Sequence, residues 1–467
     1  MPYFCDQFSF TYRLMPQSIH FIAIGGSVMH NLAISLQQAG HTVTGSDDVI
    51  YEPSHTRLSQ HQLLPTELGW FPDRIQAGLD AVIVGMHARP DNPELLRAQE
   101  LKLPIFSLPA YIYQHSQQKQ RIVIAGSHGK TTITAMLMHV LTFHNRAFDY
   151  LVGTTLDGYE STVRLSAQAP LIVIEGDAYA SSPLDPTPKF LNYQPHIALI
   201  SGIAWDHVSI YPTWDRYVDQ FEELAEAMPK AGILIFDEDD NMLDIIGQKE
   251  RTDITKLPYQ PHPSKIIDGQ TYLLPRRGDK IPVPVFGEHN MKNIAAAMTV
   301  CDRIGITEEQ FYAAIPTFKA VPHRLEQVIE RNGKRLFRDF AYAPAKVEAT
   351  TAAVRAQFPG NSVVAVAELH AVNLIPAFLE EYRQTMDKAN QAAVFINVAG
   401  FSADERALVN IDAVRTTFGR PDLTVLTDAE ALRQYLLDKR DKATIFLLMS
   451  SGSFGDLNFT ELVDALL

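Results

Sequence analysis

The peptide Arg121-Ile-Val-Ile-Ala-Gly-Ser-His-Gly-Lys-Thr-Thr132 leaves a chain few ways to fold. Residues 122–125 are consecutive apolar side chains, the pattern of a strand buried on both faces. Gly126, Ser127, His128 and Gly129 then turn the chain. Lys130, Thr131 and Thr132 open a segment whose apolar positions Ile133, Met136, Leu137, Val140 and Leu141 recur at helical spacing. Strand, glycine turn and helix in that order make a phosphate cradle. The amides of the turn and of the helix start point at anionic oxygens. Lys130 adds a point charge for terminal phosphates, and the Thr131 hydroxyl can hold Mg²⁺. The common form of the motif is G-x-x-x-x-G-K-[ST]. Here only Ser127 and His128 separate Gly126 from Gly129, so the cradle is a shortened variant.

The chain has 467 residues, too many for one core, and about two to four domains are expected. No long uninterrupted apolar run is present, which argues against stable membrane insertion. The opening Met1-Pro-Tyr-Phe-Cys-Asp lacks a basic region followed by an apolar core, so no secretory leader is expected. Two cysteines, Cys5 and Cys301, form neither a disulfide framework nor a metal-ligand spacing, and a reducing cytoplasm suits them. A net charge of −14 argues against a nucleic-acid partner, which would need a basic face. An anionic small molecule stays compatible with that charge, because a few local donors can hold it.

Taken in order, residues 1–18 read as a loose extension. Residues 20–24 form a strand that runs into Gly25, Gly26 and Ser27, followed by a helix with Met29, Leu32, Ala33 and Leu36 on one face. Residues 42–45 form the next strand, ending at Ser46 and Asp47. This βαβ unit has a nucleotide-type turn but lacks G-x-G-x-x-G. Strands at 81–84 and 104–107 complete a small parallel domain to residue 117, with His87 just past a strand end, where open α/β sheets bind ligands. The second domain, 118–320, starts with the cradle. Its strand 171–174 delivers Glu175 and Asp177, and strand 197–200 precedes Trp205, Asp206 and His207. Carboxylate and imidazole at strand ends beside a nucleotide suggest metal and acyl-phosphate chemistry. The stripe Trp214, Tyr217, Val218, Phe221, Ala225 and Met228 reads as core. Residues 271–274 and 281–286 form a hairpin-like excursion with Arg277-Gly278-Asp279 in its turn. Asn290 and Asn293 share a helix face and can read a base edge, although an N-cap is the simpler local reading of Asn290. A third domain, 321–467, carries strands at 363–366, 394–397, 423–426 and 444–449 with helices between them, another parallel α/β arrangement. The expected fold class is therefore α/β in three domains: a Rossmann-like N-terminal sheet, a central P-loop ATPase-type doubly wound sheet and a Rossmann-like C-terminal domain.

Seven segments in this order resemble the Mur ligases of peptidoglycan synthesis, over nearly the whole chain from residue 18. They are the Ile24-Gly25-Gly26 turn, the short cradle, Glu175-Gly-Asp177, Asp206-His207, the Gly287-x-His289-Asn290-x-x-Asn293 helix start, Arg324 and Asp339-Phe-Ala. Asp185-Pro-Thr-Pro-Lys-Phe-Leu-Asn-Tyr-Gln-Pro195 and Gly153-Thr-Thr-Leu-Asp-Gly-Tyr-Glu160 are similar to the branch that ligates L-alanyl-γ-D-glutamyl-meso-diaminopimelate to UDP-N-acetylmuramate. The L-alanine-adding branch is the near alternative. A folylpolyglutamate-synthetase-like ligase is disfavoured, because such enzymes begin directly with the ATP domain.

The resemblance implies an ATP- and Mg²⁺-dependent amide-forming ligase whose partners are UDP-N-acetylmuramate and an amino-acid or peptide amine. It implies that Gly126, Ser127, His128, Gly129, Lys130, Thr131 and Thr132 hold the ATP phosphates. Thr131, Glu175 and His207 would bind the metal, with Lys130, Glu175 and His207 carrying the chemistry. His289, Asn290 and Asn293 would take the adenine, and Arg324 and Asp339 would close on the γ-phosphate and ribose. Gly25, Gly26, Ser27, Ser46, Asp47 and His87 would hold the UDP end, and Tyr342, His370, Ser450 and Ser451 would face the peptide. Three departures stand out. Ala178 follows Asp177 where the family has Glu, Tyr342 stands where it has His, and no Arg-rich turn follows Glu368-Leu-His370; Phe221, near the place where several relatives carry a carbamylated lysine, is what the branch without one implies. A relative that binds UDP-sugar and nucleotide with little turnover is the other reading these departures allow.

Overall fold

A computed structural model describes residues 16–466. Most of the extension expected at residues 1–18 lies outside the described residues, and Ser18 already opens the first strand. The chain divides into two compact units. One comprises residues up to Val123 with Asn145–His196; the other comprises Ile124–His144 with residues from Ile197 onward.

In the first unit, Ser18–Ile22 pairs in parallel with Thr42–Ser46 on one side and with Ala81–Val84 on the other. Ile105–Ser107 adds the fourth strand beyond Ala81–Val84. The strand order reverses beside Ser18–Ile22, so the ends of that strand and of Ala81–Val84 flank a switch point. Ile22, Val82 and Val84 pack with Leu95 and Ala98 of helix Pro93–Glu100. That helix starts where Asn92 accepts the Glu94 and Leu95 amides, which satisfies donors that would otherwise be orphaned. Elsewhere in the unit, Leu171–Glu175 lies parallel to Asp149–Leu151, and Gln120 donates to Pro170 O at 2.9 Å.

In the second unit, Ile197–Ile200, Ile233–Asp237 and Thr255–Tyr259 form a parallel ladder. Ser201 donates to Ala125 O at 3.0 Å, at the end of strand Gln120–Ala125. Helices Lys130–Phe143 and Glu288–Arg303 pack against each other. The excursion holds one more strand than the sequence suggests. Gln270–Leu273 pairs antiparallel with Ile281–Val283 as expected, and also with Ser264–Ile267. Tyr217, Val218, Phe221 and Ala225 of helix Trp214–Ala227 are buried, as the stripe requires.

The remaining sheet runs in the order Glu326–Arg331, Lys334–Asp339, Ile445–Met449, Val363–Glu368, Gln391–Phe395, Thr424–Leu426. Its first pair is an antiparallel hairpin, which the sequence reading missed because Glu326–Arg331 is a largely exposed edge strand with little apolar alternation. The other pairings are parallel. Val363, Ala365 and Ala367 enter one core while Val364 and Val366 enter the other, so this strand is covered on both faces. Each of these valines contributes about 1.5–3 kcal/mol of burial, and each alanine less. Among the described residues, no helix is long and apolar enough to cross a membrane.

Candidate functional site

The cradle forms as its sequence demands. Ile122, Val123, Ile124 and Ala125 are fully buried, and the chain turns through Gly126 at φ +122° and Gly129 at φ +74°. Both values lie where L side chains are strained. Space forbids side chains as well. A Cβ on Gly126 would lie 2.4 Å from Ser201 Oγ, and one on Gly129 would lie 2.4 Å from Asn293 Oδ1. The following helix, Lys130–Phe143, has no side-chain cap, so its first N–H groups face an anion-binding position.

The segment after Ile197–Ile200 grips this loop. Ser127 donates through N and Oγ to Gly202 O at 2.9 and 3.0 Å, and Ala204 N donates back to Ser127 Oγ at 2.9 Å. Ser201 Oγ donates to His128 O. Lys130 Nζ reaches Gly126 O at 2.8 Å, which folds the ammonium over the loop. Loss of water around the His128 ring, then the positive charges of Lys346, Lys130 and Lys292, push its pKa down to about 3. The imidazole is therefore neutral, and the cations around it converge on the cradle.

Asp206 follows in the same segment and is 1% exposed. It accepts Tyr342 Oη at 3.0 Å, Lys346 Nζ at 2.6 Å and His207 N at 2.7 Å. Burial opposes its charge, but Lys346 and His207 outweigh burial and hold the carboxyl down at about 2. His207 adopts φ +54°, with Nδ1 3.9 Å from Asp206 Oδ1. Tyr342 thus occupies a structural socket: its hydroxyl binds Asp206, and its carbonyl accepts Tyr382 Oη.

The helix that carries Asn290 and Asn293 starts earlier than an N-cap at Asn290 would allow. It spans Glu288–Arg303 with Gly287 as N-cap, so the capping expectation for Asn290 is corrected. Gly287 suits that place because its φ is +89° and a Cβ would lie 2.5 Å from Ala353 Cβ. Asn290 donates to Phe286 O at 2.9 Å, and Asn293 donates to Asn290 Oδ1 at 3.1 Å. His289 Nδ1 is buried without a hydrogen-bond partner, and burial pushes the ring down to about 4. An orphaned neutral nitrogen is an unmet demand for a ligand or water. Asp339 accepts Thr350 Oγ1 at 2.8 Å. Burial raises its pKa to about 6 against the opposing pull of Thr350, Arg324 and Lys346. The Arg324 guanidinium stacks 4.5 Å from the Phe340 ring centroid.

At the ends of Val363–Glu368, Gln391–Phe395 and Ile445–Met449 lies a cavity of ≈ 440 Å³ whose lining includes Glu368, His370, Asn397, Phe401 and Gly452. His370 Nε2 lies 3.0 Å from Ser451 Oγ, Ser450 Oγ donates to buried Glu368, and Ser450 N donates to Asp339 O at 2.9 Å. Of the four residues expected to face the amine, His370 lines this cavity, Ser450 and Ser451 bind its lining, and Tyr342 stands at Asp206 instead. Glu368 and Lys346 were not singled out from sequence, because no local spacing announces contacts across so many residues.

In the first unit, the turn expected to hold the UDP end gathers at the switch point. Gly25 N donates to Asp47 Oδ2 at 2.7 Å, Ala23 N donates to Ser46 O at 2.9 Å, and Gly85 N donates to Ile22 O at 2.8 Å. Gly26 and Ser27 turn their carbonyls to His30 and Asn31. Burial raises the Asp47 pKa although the Gly25 amide favours its charge. His87 is exposed beyond Ala81–Val84. Glu175 ends Leu171–Glu175, 5% exposed, and accepts Gly153 N at 2.7 Å. Among the described residues, no three His, Cys, Asp or Glu side chains cluster as a metal site.

Two models of one family match the chain in succession. The Mur ligase family, catalytic domain, covers residues 18–120, and the Mur ligase middle domain covers 124–301. The UDP-N-acetylmuramate--L-alanine ligase of Nitrosospira multiformis is 27% identical over 94% of this chain and 92% of its own. The UDP-N-acetylmuramate--L-alanyl-gamma-D-glutamyl-meso-2,6-diaminoheptandioate ligase of Haemophilus influenzae is 25% identical over 94% and 97%. In fold, a murein peptide ligase from Psychrobacter arcticus superposes with TM-score 0.64 at 22% identity, covering 96% of this chain and 98% of that one. The UDP-N-acetylmuramate-alanine ligase of Thermotoga maritima gives 0.69 at 18%, covering 96% and 99%. These solved structures have the three-domain α/β architecture expected from the sequence. The resemblance first carried by short motifs thus extends through consecutive family domains, and the chain belongs to the Mur ligase family of ATP-dependent, amide-bond-forming ligases.

Proposed function

We propose that this chain joins an amine-bearing peptide to the lactyl carboxylate of UDP-N-acetylmuramate, with L-alanyl-γ-D-glutamyl-meso-diaminopimelate as the peptide. The observation that carries the ligase reading is the cradle of Gly126–Gly129, closed to side chains, with the Lys130 ammonium folded over it and the charges of Lys292 and Lys346 acting on its His128. A triphosphate fits a turn from which side chains are excluded and a helix start with no cap. In this reading the cradle and Lys130 hold the ATP phosphates, His289, Asn290 and Asn293 meet the adenine, and Arg324 and Asp339 meet the γ-phosphate and ribose. Thr131, Glu175 and His207 are the donors for Mg²⁺. A hydroxyl, a carboxylate and one imidazole suit an ion that keeps water and phosphate oxygens as its other ligands. Gly25, Gly26, Ser27, Ser46, Asp47 and His87 hold the UDP end, and the cavity beside His370, Ser450 and Ser451 receives the amine.

The chemistry needs two anions brought together. The lactyl carboxylate attacks the γ-phosphorus and ADP leaves; the amine then attacks the acyl carbon and inorganic phosphate leaves. The residues named above lower that barrier by fixing both reactants and placing positive charge where negative charge builds. The tripeptide is favoured by the segments at 153–160 and 185–195. L-Alanine is the second reading, supported by relatives that carry that substrate in their names.

A coupled phosphate-release assay separates them. Release that requires UDP-N-acetylmuramate and the tripeptide supports the proposal, and release with L-alanine instead supports the second reading. Lys130→Ala is expected to lower the rate by about 100-fold or more. Ligand-induced stabilisation without phosphate release under any combination would mark a nucleotide-binding relative and overturn the catalytic reading.

A further inference from the structure

Lys346 has no evident role in its own helix. It sits in the first turn of Pro344–Gln357, where a positive charge opposes the helix dipole. Its ammonium instead crosses to Asp206 at 2.6 Å and lies 4.6 Å from the Tyr342 ring centroid. Tyr342 Oη and His207 N also donate to Asp206, so the carboxylate keeps hydrogen bonds when the ammonium turns away. A pair of this kind gains little net stability after desolvation. Its place in the fold is more informative. Asp206 ends the segment whose Ser201, Gly202 and Ala204 grip Ser127 and His128, so Lys346 is anchored at the rim of the cradle. Lys346 also stands ahead of Lys130 among the charges acting on His128, and it acts on Asp339. Lys292, the third cation, is held by Asp237 and Asp239 at 2.9 and 3.1 Å. The Lys346 side chain is 21% exposed, so its head can turn.

We propose that Lys346 is a second phosphate-binding lysine, parked on Asp206 and transferred to the terminal phosphate when a nucleoside triphosphate occupies the cradle. The inference rests on reading the cradle as a triphosphate site and adds a residue to it. A lysine suits the exchange because its ammonium is a compact charge on a flexible stem. Asp206 keeps two hydrogen bonds when the ammonium leaves. Because the terminal phosphate distinguishes ATP from ADP, Lys346 should act on one nucleotide and spare the other.

Calorimetric titration with Mg-ATP and Mg-ADP, without sugar or amine, tests this. Lys346→Met leaves Asp206 without its cation, so the paired variant Lys346→Met/Asp206→Asn guards against misfolding, checked by its unfolding temperature. In the paired variant Mg-ATP is expected to bind about tenfold more weakly while Mg-ADP shifts less than about threefold. Lys346→Arg should recover part of the loss. Equal weakening of both nucleotides, or Mg-ATP affinity within about twofold of the parent, overturns the proposal, as does a parent protein that binds no Mg-ATP. Phosphate release plays no part in the readout, so a parent that binds ATP but never turns over would sink the ligase reading alone.

Discussion

Gly126 and Gly158 both hold positive φ, +122° and +82°, yet only Gly126 is hemmed in. A Cβ there would meet Ser201 Oγ at 2.4 Å and Ser201 N at 2.9 Å, and the backbone atom cannot swing aside. Gly158→Ala is expected to cost about 1 kcal/mol from backbone conformation, whereas Gly126→Ala adds overpacking for a total of roughly 2–4 kcal/mol. Urea unfolding of the two variants checks the difference, and Mg-ATP affinity should fall only for Gly126→Ala. Asp339 gives a pH signature. Its folded pKa is raised to about 6 from 3.8, so the folded state holds a proton that the unfolded state releases earlier. Stability therefore falls as pH rises through this window, the full penalty being present above it. Asp339→Asn should remove the fall, gaining on the order of 2 kcal/mol over the parent between pH 4 and pH 7 in urea unfolding. The cradle residues were legible because a glycine turn between an apolar strand and a helix is a local pattern. The Asp206–Tyr342 bond was not, because it joins residues 136 apart.

At the level of elements, several strands buried on both faces were read to within a residue or two, whereas Ile233–Asp237 went unread and Gln391–Phe395 begins three residues before the expected 394–397. Residues 81–84 and 197–200 form strands at the expected bounds, since a short apolar run between turns has few other solutions. The charged hairpin Glu326–Arg331 with Lys334–Asp339 went unread because one strand is an exposed edge with little apolar alternation. The helix was expected to open at Gly287, as Glu288–Arg303 does, but its cap was misassigned to Asn290. Asn is a good cap by composition, but Gly287 alone fits against Ala353. This contact between helices Glu288–Arg303 and Pro344–Gln357 is open to a double-mutant cycle. Gly287→Ala in the parent should cost roughly 2–4 kcal/mol, and in an Ala353→Gly background only the backbone part of about 1–2 kcal/mol. Equal costs in both backgrounds would show that the two helices do not constrain each other there.

For the whole molecule, nucleotide binding should appear as stability. At a free Mg-ATP concentration of about 100 times its dissociation constant the folded state gains about 2.7 kcal/mol. Thermal unfolding of the parent should therefore move upward with Mg-ATP, and that of Lys130→Ala should move much less at the same concentration. Sequence by itself determined the α/β class, the family, the cradle and the order of the chemistry-bearing segments. Each of these is written in runs of a few residues whose periodicity or turn chemistry admits one solution. Only the tertiary structure decided that Tyr342 fills a socket on Asp206, that His370 and Ser451 meet beside a cavity, and that Lys346 leans onto the cradle rim. Those relations depend on which strand ends and helix starts the packed core brings together, and no spacing along the chain records that.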